Sequence, residues 1–468
     1  MVSRPDRRAS WWGVTVGVVV VLLAAAPSAS AAGAFLVSDI HPGGAGSAPH
    51  SFASVGGTAY FAAGDGAHGV ELWRSDGTQA GTRMVKDISP GAPDGNPQYL
   101  TAVGATLYFQ ADDGVHGNEL WRSDGTAAGT RLVRDIAAGG NDANAHPLTK
   151  LGNKLIFRAR NDRFGNELWR SNGTRAGTKL VRDVNPGHHG SDPGYSDTAV
   201  VDGTVYLAAS DDTHGTELWR SDGTNAGTKL VRNIYRGDPD SEPNDFTNVA
   251  GTLLFAARDG GHGLELWRSD GTSGGTKLVK DIYPYGHAGS DLIELTNVGG
   301  ILMFGAATAY PNGRPSYQLF RSDGTAAGTG IVRKIKGGGG AELSNLTNVG
   351  GRLFFSADDG NVRHAVEPWT SDGTFSGTRI LRDINPGSGN SLPADFTDVD
   401  GTAFFAADFP GFDRELWRSN GTEAGTIRVR NINPDHSSDP RDLTDVGGTL
   451  FFSANDGTRG RELWKAVP

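Results

Sequence analysis

The 468-residue chain contains no cysteine and carries 43 basic against 53 acidic residues, a formal charge of −10. Disulfides, thiolate metal sites and cysteine nucleophiles are thereby excluded, and the acidic balance argues against a nucleic-acid partner. Its 69 glycines, with Val, Ile, Thr, Phe and Tyr in short runs between them, favour strands and tight turns over helices.

At the N-terminus, Arg4, Arg7 and Arg8 precede an apolar stretch from Trp11 to Ala26. Ala29-Ser30-Ala31 then has the A-x-A form of a signal-peptidase site. The apolar stretch is shorter than the ~20 residues that span a bilayer. Residues 1–31 are therefore expected to be a cleaved signal peptide, leaving no membrane span and sending residues 32–468 out of the cell as a single domain. Arg7-Arg8 leaves the general and twin-arginine export routes both open. The leader holds three Arg and one Asp, so its loss takes the charge from −10 to −12.

The remaining chain is a repeat. The octapeptide Glu-Leu-Trp-Arg-Ser-Asp-Gly-Thr occurs identically from Glu71, Glu119, Glu217 and Glu265. Its aromatic recurs at Trp73, Trp121, Trp169, Trp219, Trp267, Phe320, Trp369, Trp417 and Trp464, giving nine copies of a unit about 48 residues long. Unit 2 illustrates the pattern. Leu100–Val103 and Thr106–Ala111 flank a tight turn. A loop follows, then Glu119–Ser123, the Asp124-Gly125 turn and Arg131–Ile136. Four antiparallel strands per unit predict an all-β chain of propeller blades. The sequence begins with a lone fourth strand (35–40) and ends with a third strand lacking its fourth (462–467). The two fragments are expected to complete one blade and close the ring.

The Glu-Leu-Trp-Arg-Ser-Asp-Gly-Thr copies, followed by Gly-Thr and Leu-Val-Arg-Asp-Ile as at Gly129–Ile136, resemble the secreted bacterial ELWxxDGT repeat family over essentially all of residues 32–468. That resemblance implies an exported, propeller-like, non-catalytic protein.

Within the octapeptide, Trp is expected to pack between blades. The Glu, present in every unit except at Gln318, is expected to form a structural ion pair with an Arg such as Arg122 or Arg134. The turn Asp becomes Asn at Asn172 and Asn420, so the turn needs its shape and not its charge. That substitution weighs against calcium, the one metal the turn aspartates suggest. His68, His116, His214, His262 and His364 each stand three residues before the Glu, but Phe164 and Phe412 replace them elsewhere. No metal site, cofactor or catalytic residue is therefore assigned.

Recognition is expected on the face carrying the long, variable loops that join the fourth strand to the next first strand and the second strand to the third. Tyr195, Tyr235, Tyr283, Tyr285, Tyr310 and Tyr317, with Arg314, cluster there in units 4–6 and form the candidate ligand-binding set. The chain contains no H-E-x-x-H or Walker sequence. The expected function is a monomeric, non-catalytic binding or scaffold module for an extracellular glycan or protein. The alternative is a polysaccharide-active hydrolase or lyase.

Overall fold

A computed structural model describes Met1 and residues 33–285, 289–309, 315–336, 341–361, 365–411 and 413–468. The expected signal peptide lies outside these residues apart from Met1. Every regular element among the described residues is a β-strand.

The strands form nine four-stranded antiparallel sheets, each built from strands consecutive in the chain except the last, which the two termini complete. Blade 1 consists of His50–Val55, Thr58–Gly64, Val70–Ser75 and Arg83–Lys86. Blades 2–8 repeat it from residues 98, 146, 198, 244, 293, 344 and 394. Inner strands of successive blades touch, and Arg441–Asp445 of blade 9 touches His50–Val55. The chain is a nine-bladed β-propeller.

The sequence shows why the blades stack. Consecutive residues Ala59, Tyr60, Phe61, Ala62 and Ala63 are all buried, so both faces of the second strand are covered. Small and large side chains alternate at the interface, allowing each blade to receive its neighbour's aromatic. Trp121 of blade 2 thus packs with Tyr60, Leu72, Val85 and Ile88 of blade 1. The last cation of an outer strand covers the next blade's indole: Lys86 lies 5.6 Å from Trp121 and Arg134 lies 5.7 Å from Trp169.

Closure differs slightly from expectation. Gly33–Ser38 pairs with Arg461–Val467, two residues earlier than the predicted fourth strand, and a bulge falls between Leu36 and Ser38. Beyond the bulge the chain leaves the sheet, and Ile40 N–H donates to Glu462 Oε2 at 2.9 Å.

Deleting residues 33–41 should remove this strand and its bonds to Glu462, leaving the edge of Arg461–Val467 open to intermolecular pairing. The expected result is a lower melting temperature and concentration-dependent association in light scattering. An unchanged melting temperature with monomeric elution would show that the ring does not depend on this closure.

Candidate functional site

The loop joining each outer strand to the next inner strand crosses the long-loop face, and the repeated Glu organises it. Glu71 accepts backbone N–H groups from Ile88 (2.9 Å), Ser89 (3.1 Å) and Gly95 (3.0 Å). In six blades a serine of the same loop adds its hydroxyl at 2.6–2.8 Å, as Ser191 does for Glu167. These findings correct the expected ion pair. The Glu is fully buried and meets main-chain donors, while Arg134 donates to Thr178 O of the next blade. Burial, only partly offset by these hydrogen bonds, raises Glu71, Glu119, Glu167, Glu217, Glu265 and Glu367 to about 7.

Two other repeated motifs are local. Asp124 Oδ1 accepts from the backbone N–H and hydroxyl of Thr126, and Asn172 does the same for Thr174. The amide is equivalent because only one acceptor oxygen is used. In the second-to-third-strand loops, His68, His116, His214 and His262 each place Nδ1 2.8–2.9 Å from an Asp three residues earlier. Gly117 follows with φ +69°, where a Cβ would come within 2.6 Å of Asn141 O. No cluster of three or more metal-ligating side chains occurs among the described residues. His364 and Phe412 lie outside them.

The inner strands carry a pattern that the sequence reading did not single out. Near the long-loop end, Ser51, Tyr99, Asp245, Glu294, Asn345, Asp395 and Asp442 all have positive φ. A left-handed non-glycine residue costs of order 1–2 kcal/mol, and neighbouring blades supply the compensation. Phe246 N–H donates to Asp197 at 2.8 Å, Leu346 N–H to Glu294 at 2.6 Å, and Ser51 N–H to Asp442 at 3.3 Å. In return, the hydroxyls of Thr247, Thr296 and Thr397 donate to the carbonyls of Leu295, Leu346 and Leu443. The inner strands are thus stitched together across blades 4–7, 8–9 and 9–1, with carboxylates at the long-loop mouth. The signal was an acid preceding Phe/Leu-Thr-Asn/Asp-Val, as in Asp245–Val249 and Asp395–Val399.

The candidate tyrosines separate. Tyr195 is 80% exposed and borders a cavity of about 290 Å³ shared with Ala208, Asp240, Glu242 and Pro243. Tyr285 is 74% exposed and meets the partly buried Tyr283 edge-on, with ring centroids 5.5 Å apart. Tyr235 is half-buried against Gly260. Tyr317 packs on the core beside Leu343, with its hydroxyl donating to Asp291 at 2.8 Å. Tyr310 and Arg314 lie outside the described residues. Tyr99 belongs to the mouth as well, stacked on His146 at 3.8 Å. Burial and the neighbouring Arg158 hold His146 down at about 4.

Blade 2 provides a test of the glutamate clamp. Ala143 stands where six blades have serine, and Glu119 Oε2 is buried without a partner. Ala143→Ser should supply the missing hydroxyl and stabilise the protein by about 1 kcal/mol in chemical denaturation, the worth of one added hydrogen bond. No gain would mean that the clamp contributes only shape. The titration has a definite sign. The raised Glu and the raised His68, His116 and His262 contribute stability that is full below their unfolded values and lost as pH rises through their folded ones. The depressed His146 acts oppositely. The melting temperature should therefore fall between about pH 5 and about pH 8, and a rise across that window would refute the assignment.

No family model and no curated protein matches the chain. Among solved structures it is similar to a puromycin hydrolase, at 13% identity and TM-score 0.38, over 78% of this chain and 59% of that one. It is also similar to a prolyl endopeptidase, at 9% identity and TM-score 0.43 over 80% and 55% of the two chains. A third is a Mycobacterium tuberculosis puromycin-hydrolyzing peptidase, at 12% identity and TM-score 0.39 over 77% and 58%. The chain therefore spans less than two thirds of the length of each. The first is named a hydrolase and the other two peptidases, against the expectation of a non-catalytic protein. At these identities the likeness concerns fold and assigns no reaction.

Proposed function

We propose that the long-loop mouth admits a basic, extended polypeptide substrate, with a lysine or arginine side chain entering the cavity beside Tyr195. The observation supporting this reading is the composition of that cavity. Tyr195, Ala208 and Pro243 offer apolar surface to an aliphatic stem, while Asp240 and Glu242 offer carboxylates to its cationic head. Asp197, just before the inner strand of blade 4, and Asp245 and Glu294, in those of blades 5 and 6, extend the negative field. Glu242 is held meanwhile by Arg258 at 2.8 Å, an internal cation that a ligand's cation would displace. Export through the leader and membership of the ELWxxDGT repeat family belong to the same reading.

Fluorescence anisotropy with labelled Lys/Arg-rich and Glu-rich peptides tests the proposal. The basic peptide should bind selectively and lose affinity as salt rises. The Tyr195→Ala, Glu242→Gln double variant should weaken binding about tenfold, or ~1.4 kcal/mol, and Arg258→Ala should strengthen it. Equal binding of both peptides, or a weaker Arg258→Ala variant, would contradict the reading. Mass spectrometry of the recovered peptide establishes whether the ring itself cleaves it.

A further inference from the structure

The outer rim has the opposite charge from the mouth. None of the outer strands contains Asp or Glu, although the chain is acidic overall. In blades 1–5 the first outer-strand residue is an exposed cation: Arg83, Arg131, Lys179, Lys229 and Lys277. Each lies directly opposite another cation in register: Arg74, Arg122, Arg170, Arg220 and Arg268. Like charges at facing positions are destabilising. Edge protection explains a charged outer strand, but it does not require the facing residue to carry the same sign.

Several cations meet between blades 2 and 3. A groove of about 530 Å³ is lined by His116, Arg131, Arg134 and Arg175, with Asp135 as its carboxylate. Arg122 approaches the same groove at Gly173. Arg134 is held in place by Thr178 O at 2.7 Å and by the Trp169 ring. The nearest turn position in blade 3 is Asn172, whereas Asp76, Asp124, Asp222 and Asp270 occupy it in blades 1, 2, 4 and 5. Blade 3 therefore lacks the turn carboxylate, and Asp183 alone follows its outer strand Lys179–Arg182. Asp113 is engaged with His116, and Asp124 with Thr126.

From this geometry we infer that the groove between blades 2 and 3 anchors a linear polysaccharide carrying carboxylate or sulfate groups, with the remaining rim cations of blades 1–5 following the chain. A ring's rim is curved, which suits a flexible chain and not duplex DNA, whose persistence length is about 150 base pairs. The outer strands place Met, Leu and Val between their cations, with no aromatic on which bases could stack.

Calorimetric titration of the intact chain with polygalacturonate, heparin and single-stranded DNA tests this inference. At least one of the two glycans should bind at about 50 mM NaCl and weaken steeply as salt rises, as counterion release requires. Whichever glycan binds more tightly identifies carboxylate or sulfate as the recognised group. Arg131→Ala with Arg175→Ala should lower affinity about tenfold without lowering the melting temperature, and Lys229→Ala with Lys277→Ala should lower affinity only about threefold, because the first pair lines the groove. Failure of both glycans to bind, undiminished binding by the Arg131/Arg175 variant, an equal loss in the Lys229/Lys277 variant, or a preference for single-stranded DNA would each overturn the inference.

Discussion

In every blade but the sixth, a carboxylate buried among main-chain donors fixes the loop to the next blade. A crossover loop brings backbone N–H groups into the interior, and an unmet buried donor costs of order 1–3 kcal/mol. Glu167 meets this demand by accepting from Val184, Asn185 and the Ser191 hydroxyl. Ser191 O then accepts the N–H of Ser210 in the following blade. The same carbonyl link recurs at every junction, including Gly64 to Ser47 where the ring closes. One side chain thus fixes the loop, and the loop fixes the second strand against which the next aromatic packs.

The irregular blade 6 shows what the clamp requires. Gln318 replaces Glu and Ala341 replaces the hydroxyl donor; the amide accepts from Ile335 N–H at 3.1 Å and donates to Lys336 O at 3.2 Å. An amide suits a loop that offers one donor and one acceptor. Glu119 faces the same loss of hydroxyl at Ala143 but cannot donate when ionised, leaving one oxygen unpartnered. Acceptor geometry matters more than charge at this position, just as it does in the Asp/Asn turns.

Charge is distributed over the ring for structural reasons before any ligand is considered. Carboxylates collect at the mouth because a left-handed inner-strand residue can pass its side chain to the neighbouring blade's N–H, as Glu294 does for Leu346. Cations collect at the rim because they cover the next indole and discourage edge pairing, as Arg182 does over Trp219. Acidic residues at the inner-strand ends and acid-free outer strands result from a chain whose net charge alone suggests one uniform acidic surface.

The strand content, nine-fold repeat and termini sharing one blade were legible in the sequence, since each rests on local periodicity: at least one glycine in each first hairpin turn and an aromatic about every 48 residues. The inter-blade position of Trp121 followed from its size. The partner of Glu119 did not, because its donors are main-chain groups 17 and 18 residues away, which a search among side-chain letters passes over. The tyrosines looked alike as letters and became different in three dimensions. Tyr317 entered a strand and found Asp291, while Tyr195 stayed on a loop above a cavity. Residue types and their period determined the blades; the mouth and rim were decided only when closure brought together residues from different blades, since their contacts run across the ring and not along the chain.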